Sequence, residues 1–125
     1  MRILGIDFGE SKIGLALGET DARIASPFMV IKNDILQILE IIRNEDIQKV
    51  VVGVPYTDAY AMTQQAEKVT MFVQQLREAT NVEVDTIDER FSTAEAKRLM
   101  LDDEIKGEDD AIAAMVILQG YMDRS

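Results

Sequence analysis

Arg2-Ile3-Leu4-Gly5-Ile6-Asp7-Phe8-Gly9-Glu10-Ser11-Lys12-Ile13-Gly14-Leu15-Ala16-Leu17-Gly18 is the stretch that decides the fold. Two apolar runs of β character, Arg2 to Phe8 and Lys12 to Gly18, flank three turn-like residues, Gly9, Glu10 and Ser11, so the segment reads as a hairpin. Ala22 to Ile31 reads as a third strand, and its Pro27 suits a sheet edge or a strand end because proline cannot donate to a ladder. A chain that opens with three strands in a meander is not flavodoxin-like, since that architecture alternates strand and helix from the start.

Beyond the meander the pattern changes to alternation. Ile35, Ile38, Leu39 and Ile42 recur at helical spacing over Asp34 to Arg43, with Asp34 as N-cap. Lys49 to Val54 is a continuous β-branched run ending at Pro55, the signature of a strand buried on both faces. Ala66, Val69, Phe72, Val73 and Leu76 define a second helix over about Thr63 to Ala79, and Val82 to Asp88 a further strand. Ser92-Thr93-Ala94-Glu95 has capping-box spacing and leads into a third apolar stripe through Ala96, Leu99 and Met100. A last helix starts near Asp109-Asp110 and runs through Ala111, Ala114, Met115, Leu118 and Met122. The order β-β-β-α-β-α-β-α-α predicts a five-stranded mixed α/β sheet with helices on both faces, the ribonuclease H-like architecture.

A length of 125 residues predicts one domain over 1–125. Cysteine and histidine are both absent, which excludes a disulfide framework, a thiolate nucleophile, a Cys/His zinc site and an imidazole base. Chemistry must then come from carboxylates, hydroxyls, Lys, Arg and the ions they hold. No apolar run approaches the roughly 20 residues of a membrane span, and Asp7 arrives too early for a signal peptide, so a soluble, cytoplasmic chain is expected. Twenty-three acidic against 13 basic residues give a formal charge of −10. That balance argues against non-specific coating of nucleic acid, because phosphate binding depends on Lys and Arg. Cleavage of nucleic acid survives the objection if divalent ions at a carboxylate cluster offset the repulsion.

Three acidic positions deserve comparison. Asp7 ends the first strand just before a turn in which Gly9 allows close approach; it is either a functional carboxylate or a turn-forming Asp. Asp88-Glu89-Arg90 follows the last strand, where open α/β sheets place their ligands; the plainer reading is an ion pair at a helix start. Strand parity does not choose between Asp88 and Glu89. Glu108-Asp109-Asp110 opens the final helix, where the macrodipole alone stabilises acids. Asp102-Asp103-Glu104 is read as a solvated charge run with no role. The strand order brings Asp7, Asp88 or Glu89, and Asp110 to one end of the sheet. Converging carboxylates are costly unless cations neutralise them, and hard oxygen donors call for Mg²⁺ or Mn²⁺, the layout for two-metal phosphodiester hydrolysis.

Nearly the whole chain resembles the YqgF/RuvX family of pre-16S rRNA nucleases, also described as Holliday-junction-resolvase-like. The resemblance is carried by Gly5-Ile6-Asp7-Phe8-Gly9 with Lys12-Ile13-Gly14, Val51-Val52-Gly53-Val54-Pro55, Gln65-Ala66-Glu67, Asp88 to Ala96, Asp110, Ala113-Ala114 and Ile117-Leu118-Gln119. The segments 56–62 and 101–109 depart from the usual family pattern. The resemblance implies a ribonuclease H-like, metal-dependent endonuclease acting on precursor rRNA, with Asp7, Glu89 and Asp110 as the acidic triad. Asp88 is then a supporting or alternate ligand, and Lys12, Arg90, Lys97 and Arg98 are scattered bases for nucleic acid. Two alternatives stay open: a junction-resolving DNA nuclease with the same site on a dimer, and a non-catalytic binding module. The expected assembly is a monomer or a homodimer.

Overall fold

The computed structural model describes residues 1–55, 64–88 and 109–124, with nothing described of the Asp109 side chain. Five strands, β1 (Arg2–Phe8), β2 (Lys12–Glu19), β3 (Ile24–Lys32), β4 (Lys49–Val54) and β5 (Glu83–Asp88), form one sheet in the order β3-β2-β1-β4-β5. β1, β2 and β3 are an antiparallel meander, whereas β4 joins β1 and β5 joins β4 in parallel. The described helices are α1 (Ile35–Asn44), α2 (Gln64–Ala79) and α3 (Asp109–Arg124). The third apolar stripe read from Ser92 onward lies outside the described residues.

Alternation along the strands sorts the core into two layers. Leu4, Ile6, Ile13, Leu15, Val50 and Val52 point to one face, where Ile38 and Ile42 of α1 and Val69, Phe72 and Leu76 of α2 cover them. Ile3, Ala16 and Val51 point to the other and meet Ala114, Ile117 and Leu118 of α3. Helices therefore lie on both faces.

Local chemistry explains the joins. The Asp34 side chain accepts from the Leu36 N–H at 3.0 Å and caps α1. At the other end of α1, Asp46 takes a left-handed φ of 54° and the Ile47 N–H reaches back to the Ile42 carbonyl at 3.0 Å. This Schellman closure buries Ile47 in the same layer as Ile42 and turns the chain into β4. β3 begins two residues later and ends one residue later than the sequence predicts. Its register on β2 shifts between Leu15 and Ala16, next to Pro27 on the sheet edge, where a missing N–H breaks no ladder bond.

α3 sits unusually close to the sheet. A Cβ on Gly5 would stand 2.8 Å from the Leu118 Cβ, and one on Gly14 would stand 1.9 Å from the Asp110 carbonyl oxygen. Only glycine leaves room for a helix backbone at that distance. Farther along α3, the Gln119 amide accepts from the Ala25 N–H (3.0 Å) and donates to the Arg23 carbonyl (2.9 Å), pairing the open edge of β3 as a strand would.

Candidate active site

The parallel strands β1, β4 and β5 place their carboxyl ends on one edge of the sheet, and the start of β2 lies there too. Alternation sends Phe8 toward α2, where its ring lies 4.9 Å from that of Phe72. Asp7 must then point to the α3 face. Its register partner on β2 is Gly14, the residue on which the first turn of α3 rests. The close approach of that turn brings Asp110 to the same cavity as Asp7, about 310 Å³ in volume and also lined by Phe8, Gly9, Ser11 and Lys12.

The turn that completes the cavity is held from outside. Gly9 cannot carry a side chain, since a Cβ there would be 2.4 Å from the Lys12 carbonyl oxygen. Asn33 donates from its side-chain amide to the Gly9 carbonyl (2.8 Å) and from its backbone N–H to the Ser11 carbonyl (3.1 Å). Glu10 is ion-paired with Lys68 of α2. These contacts fix three consecutive residues of a segment that glycine alone would leave loose.

Asp88 takes a different place. It registers with Val54 on β4, on the face covered by α1 and α2, while Asp85 and Ile87 share the α3 face with Asp7. Glu89, Arg90, Lys97 and Arg98 lie outside the described residues, as do the segments 56–62 and 101–108. Among the described residues no group of three potential metal-ligating side chains comes together; the cavity brings two carboxylates, Asp7 and Asp110. Sequence reasoning passed over Ser11 and Asn33. Ser11 was legible only as a turn residue, and nothing in the sequence around Asn33 signals a bond to a glycine 24 positions away.

The donor set suits a hard divalent cation. Two carboxylates line one cavity with the Ser11 hydroxyl, and no sulfur or imidazole competes. Asp7 and Asp110 are the described residues that could hold such an ion.

The fold has known counterparts. RuvC of Thermus thermophilus, solved in complex with a Holliday junction substrate, superposes with a TM-score of 0.63 at 18% identity, over 100% of this chain and 96% of that one. The Fowlpox virus resolvase, solved with Holliday junction DNA, gives 0.65 at 11% identity, over 99% and 98%. The architecture is thus ribonuclease H-like. Sequence similarity narrows the class. Residues 1–124 match the family model described as "RuvX: Holliday junction resolvase", and a "Putative pre-16S rRNA nuclease" of Endomicrobium trichonymphae is 35% identical, over 98% of this chain and 95% of the relative. The chain belongs to the RuvX family.

Proposed function

We propose that the chain is a metal-dependent endonuclease that hydrolyses a phosphodiester bond in the precursor of 16S rRNA. The observation that carries the reading is the shared cavity of Asp7 and Asp110 at the carboxyl edge of the parallel strands, where open α/β sheets place their ligands. The name of the 35% identical relative favours RNA as the substrate. A bound divalent ion would supply Lewis-acid polarisation of the phosphate and a nucleophile at neutral pH. The protein's own part is positional. Asp7, on a buried strand, and Asp110, pinned against Gly14, form a carboxylate pair that does not have to reorganise. Glu89 is assigned as the third carboxylate by the family resemblance, and the register of Asp88 with Val54, on the face away from Asp7, agrees with giving Asp88 the lesser role. Asp88 keeps a supporting place next to it. Lys12, in the cavity wall, contacts the substrate phosphate, and Arg90, Lys97 and Arg98 add charge along the nucleic acid.

A second reading, cleavage of four-way DNA junctions by the same residues, is favoured by the likeness in fold to RuvC and the Fowlpox resolvase. End-labelled precursor rRNA and a labelled four-way junction, each incubated with the protein in Mg²⁺, Mn²⁺ or EDTA, separate the two. Metal-dependent cleavage of the RNA alone is expected. Cutting of the junction alone transfers the assignment to DNA, and cutting of neither leaves a binding module.

A further inference from the structure

Lys12 and Lys32 are direct register partners across the antiparallel pair β2 and β3. Their neighbours Ile13 and Ile31 pack into the layer under α1 and α2, so alternation puts both lysines on the opposite face, the one that carries Asp7 and Asp110. Both are exposed. Directly opposed residues in such a pair have Cβ atoms about 4.5–5.5 Å apart, and like charges there are destabilising. Among the described residues neither lysine has an ion-pair partner, whereas Arg2, Lys49 and Lys68 are all ion-paired. The nearest carboxylates along the chain are engaged elsewhere: Glu10 with Lys68, and Asp34 with the α1 N-terminus. A chain of charge −10 thus sets two ammonium groups side by side, neither with an ion-pair partner among the described residues, one in the wall of the cavity that Asp7 and Asp110 also line and the other one strand farther out.

We infer that Lys32 joins Lys12 in a subsite for backbone phosphates flanking the cleaved bond, so that one nucleic-acid strand leaves the cavity across β2 toward β3. The inference rests on the nuclease reading for what happens in the cavity, but the strand path it describes is a matter of binding. Phosphate is the occupant that fits, because its negative charge relieves the repulsion of two opposed lysines and it lies on the same chain as the bond between the carboxylates. Asn33, next to Lys32, ties the end of β3 to the Gly9–Lys12 turn, so the two subsites move as one piece.

The test is equilibrium binding of a fluorescent precursor-rRNA fragment to the full chain in EDTA, over a series of salt concentrations, for the wild type, Lys32→Gln and Lys32→Arg. Lys32→Gln should weaken binding several-fold and lower the slope of log Kd against log salt by about 0.7 to 1, one phosphate's worth. Lys32→Arg should restore both. In Mg²⁺ the defect should fall on KM rather than on kcat, and should vanish with fragments trimmed on one side of the cut but persist with fragments trimmed on the other. An unchanged Kd and slope in Lys32→Gln overturns the inference while leaving the nuclease reading intact. A reduced slope in a protein that cuts no substrate upholds the strand path and removes the nuclease reading. A wild type that binds no RNA overturns both.

Discussion

Asp7 and Phe8 are consecutive residues that serve opposite faces of one sheet. Phe8 locks the end of β1 against Phe72, and by doing so commits Asp7 to the cavity shared with Asp110. If Asp7 holds metal, Asp7→Asn keeps the shape and removes the charge, so cleavage should fall by orders of magnitude with an unchanged far-UV spectrum. A mutant that cuts at the wild-type rate takes Asp7 out of the site. The same assay ranks the adjacent acids after β5. Glu89→Gln should match Asp7→Asn, and Asp88→Asn, whose residue registers with Val54 on the other face, should lose less. The opposite ranking would hand the third position to Asp88.

Between elements, the decisive contact is the one that α3 makes with the sheet. Gly14→Ala puts a methyl group 1.9 Å from the Asp110 carbonyl oxygen, a backbone atom that cannot swing aside, so the first turn of α3 must lift. The expected cost is about 1–3 kcal/mol in urea unfolding, the range for forced overpacking. Cleavage should drop beyond what stability accounts for, because Asp110 moves with the turn. Wild-type stability and activity together would refute so close an approach. At the other end of α3, Tyr121 donates to Asp85 at 2.7 Å, and Lys49 lies 5.0 Å from its ring centroid while bonding Glu83 at 3.0 Å. Burial, with a smaller push from Asp85 and against the pull of Lys49, raises the Tyr121 phenol above its ordinary 10.0. Lys49 is also raised, mainly by its polar contact with Tyr121 and then by Glu83, against desolvation. In both groups the folded state holds its proton longer than the unfolded chain does. Their contribution is therefore complete below pH 10 and is lost as the pH climbs through the raised values. Tyr121→Phe should be less stable than the wild type near neutrality, through the lost hydrogen bond, and should decline less steeply above pH 10. Parallel alkaline limbs in the two proteins would refute the assignment.

For the molecule as a whole, electrostatics dominates. If Asp7 and Asp110 hold one cation between them, in a chain of net charge −10, they repel each other by on the order of 1 kcal/mol when it is absent. A cation that binds only the folded state relieves that repulsion by mass action, contributing about 2.7 kcal/mol at a hundredfold excess over Kd. Mg²⁺ or Mn²⁺ should accordingly raise the melting temperature. Asp110→Asn should raise the melting temperature in EDTA and reduce the gain from added metal, two effects of opposite sign. If Asp110 serves only the α3 dipole, the substitution should instead cost roughly a few tenths of a kcal/mol with or without ions. Calorimetry of both proteins in EDTA and in Mn²⁺ distinguishes these outcomes.

The elements themselves were legible in the sequence, because periodicity is a local property: the apolar runs of β1, β2 and β4 and the helical stripes of α1, α2 and α3 depend on residues within a few positions of one another. The Asp34 cap and the position of Asp7 at a strand end belong to the same category. Family resemblance points to Glu89 over Asp88, a choice that periodicity alone leaves open because parity is counted from a strand's pairing and not from its composition. Only the tertiary structure shows that β5 registers Asp88 with Val54, away from Asp7, and that Asn33 fastens the turn at Gly9. It likewise reveals the depth to which α3 settles on Gly14, and the meeting of Lys12 with Lys32. Each of these depends on two segments distant in the chain agreeing on a register, and register is set by the packing of both faces of the sheet at once.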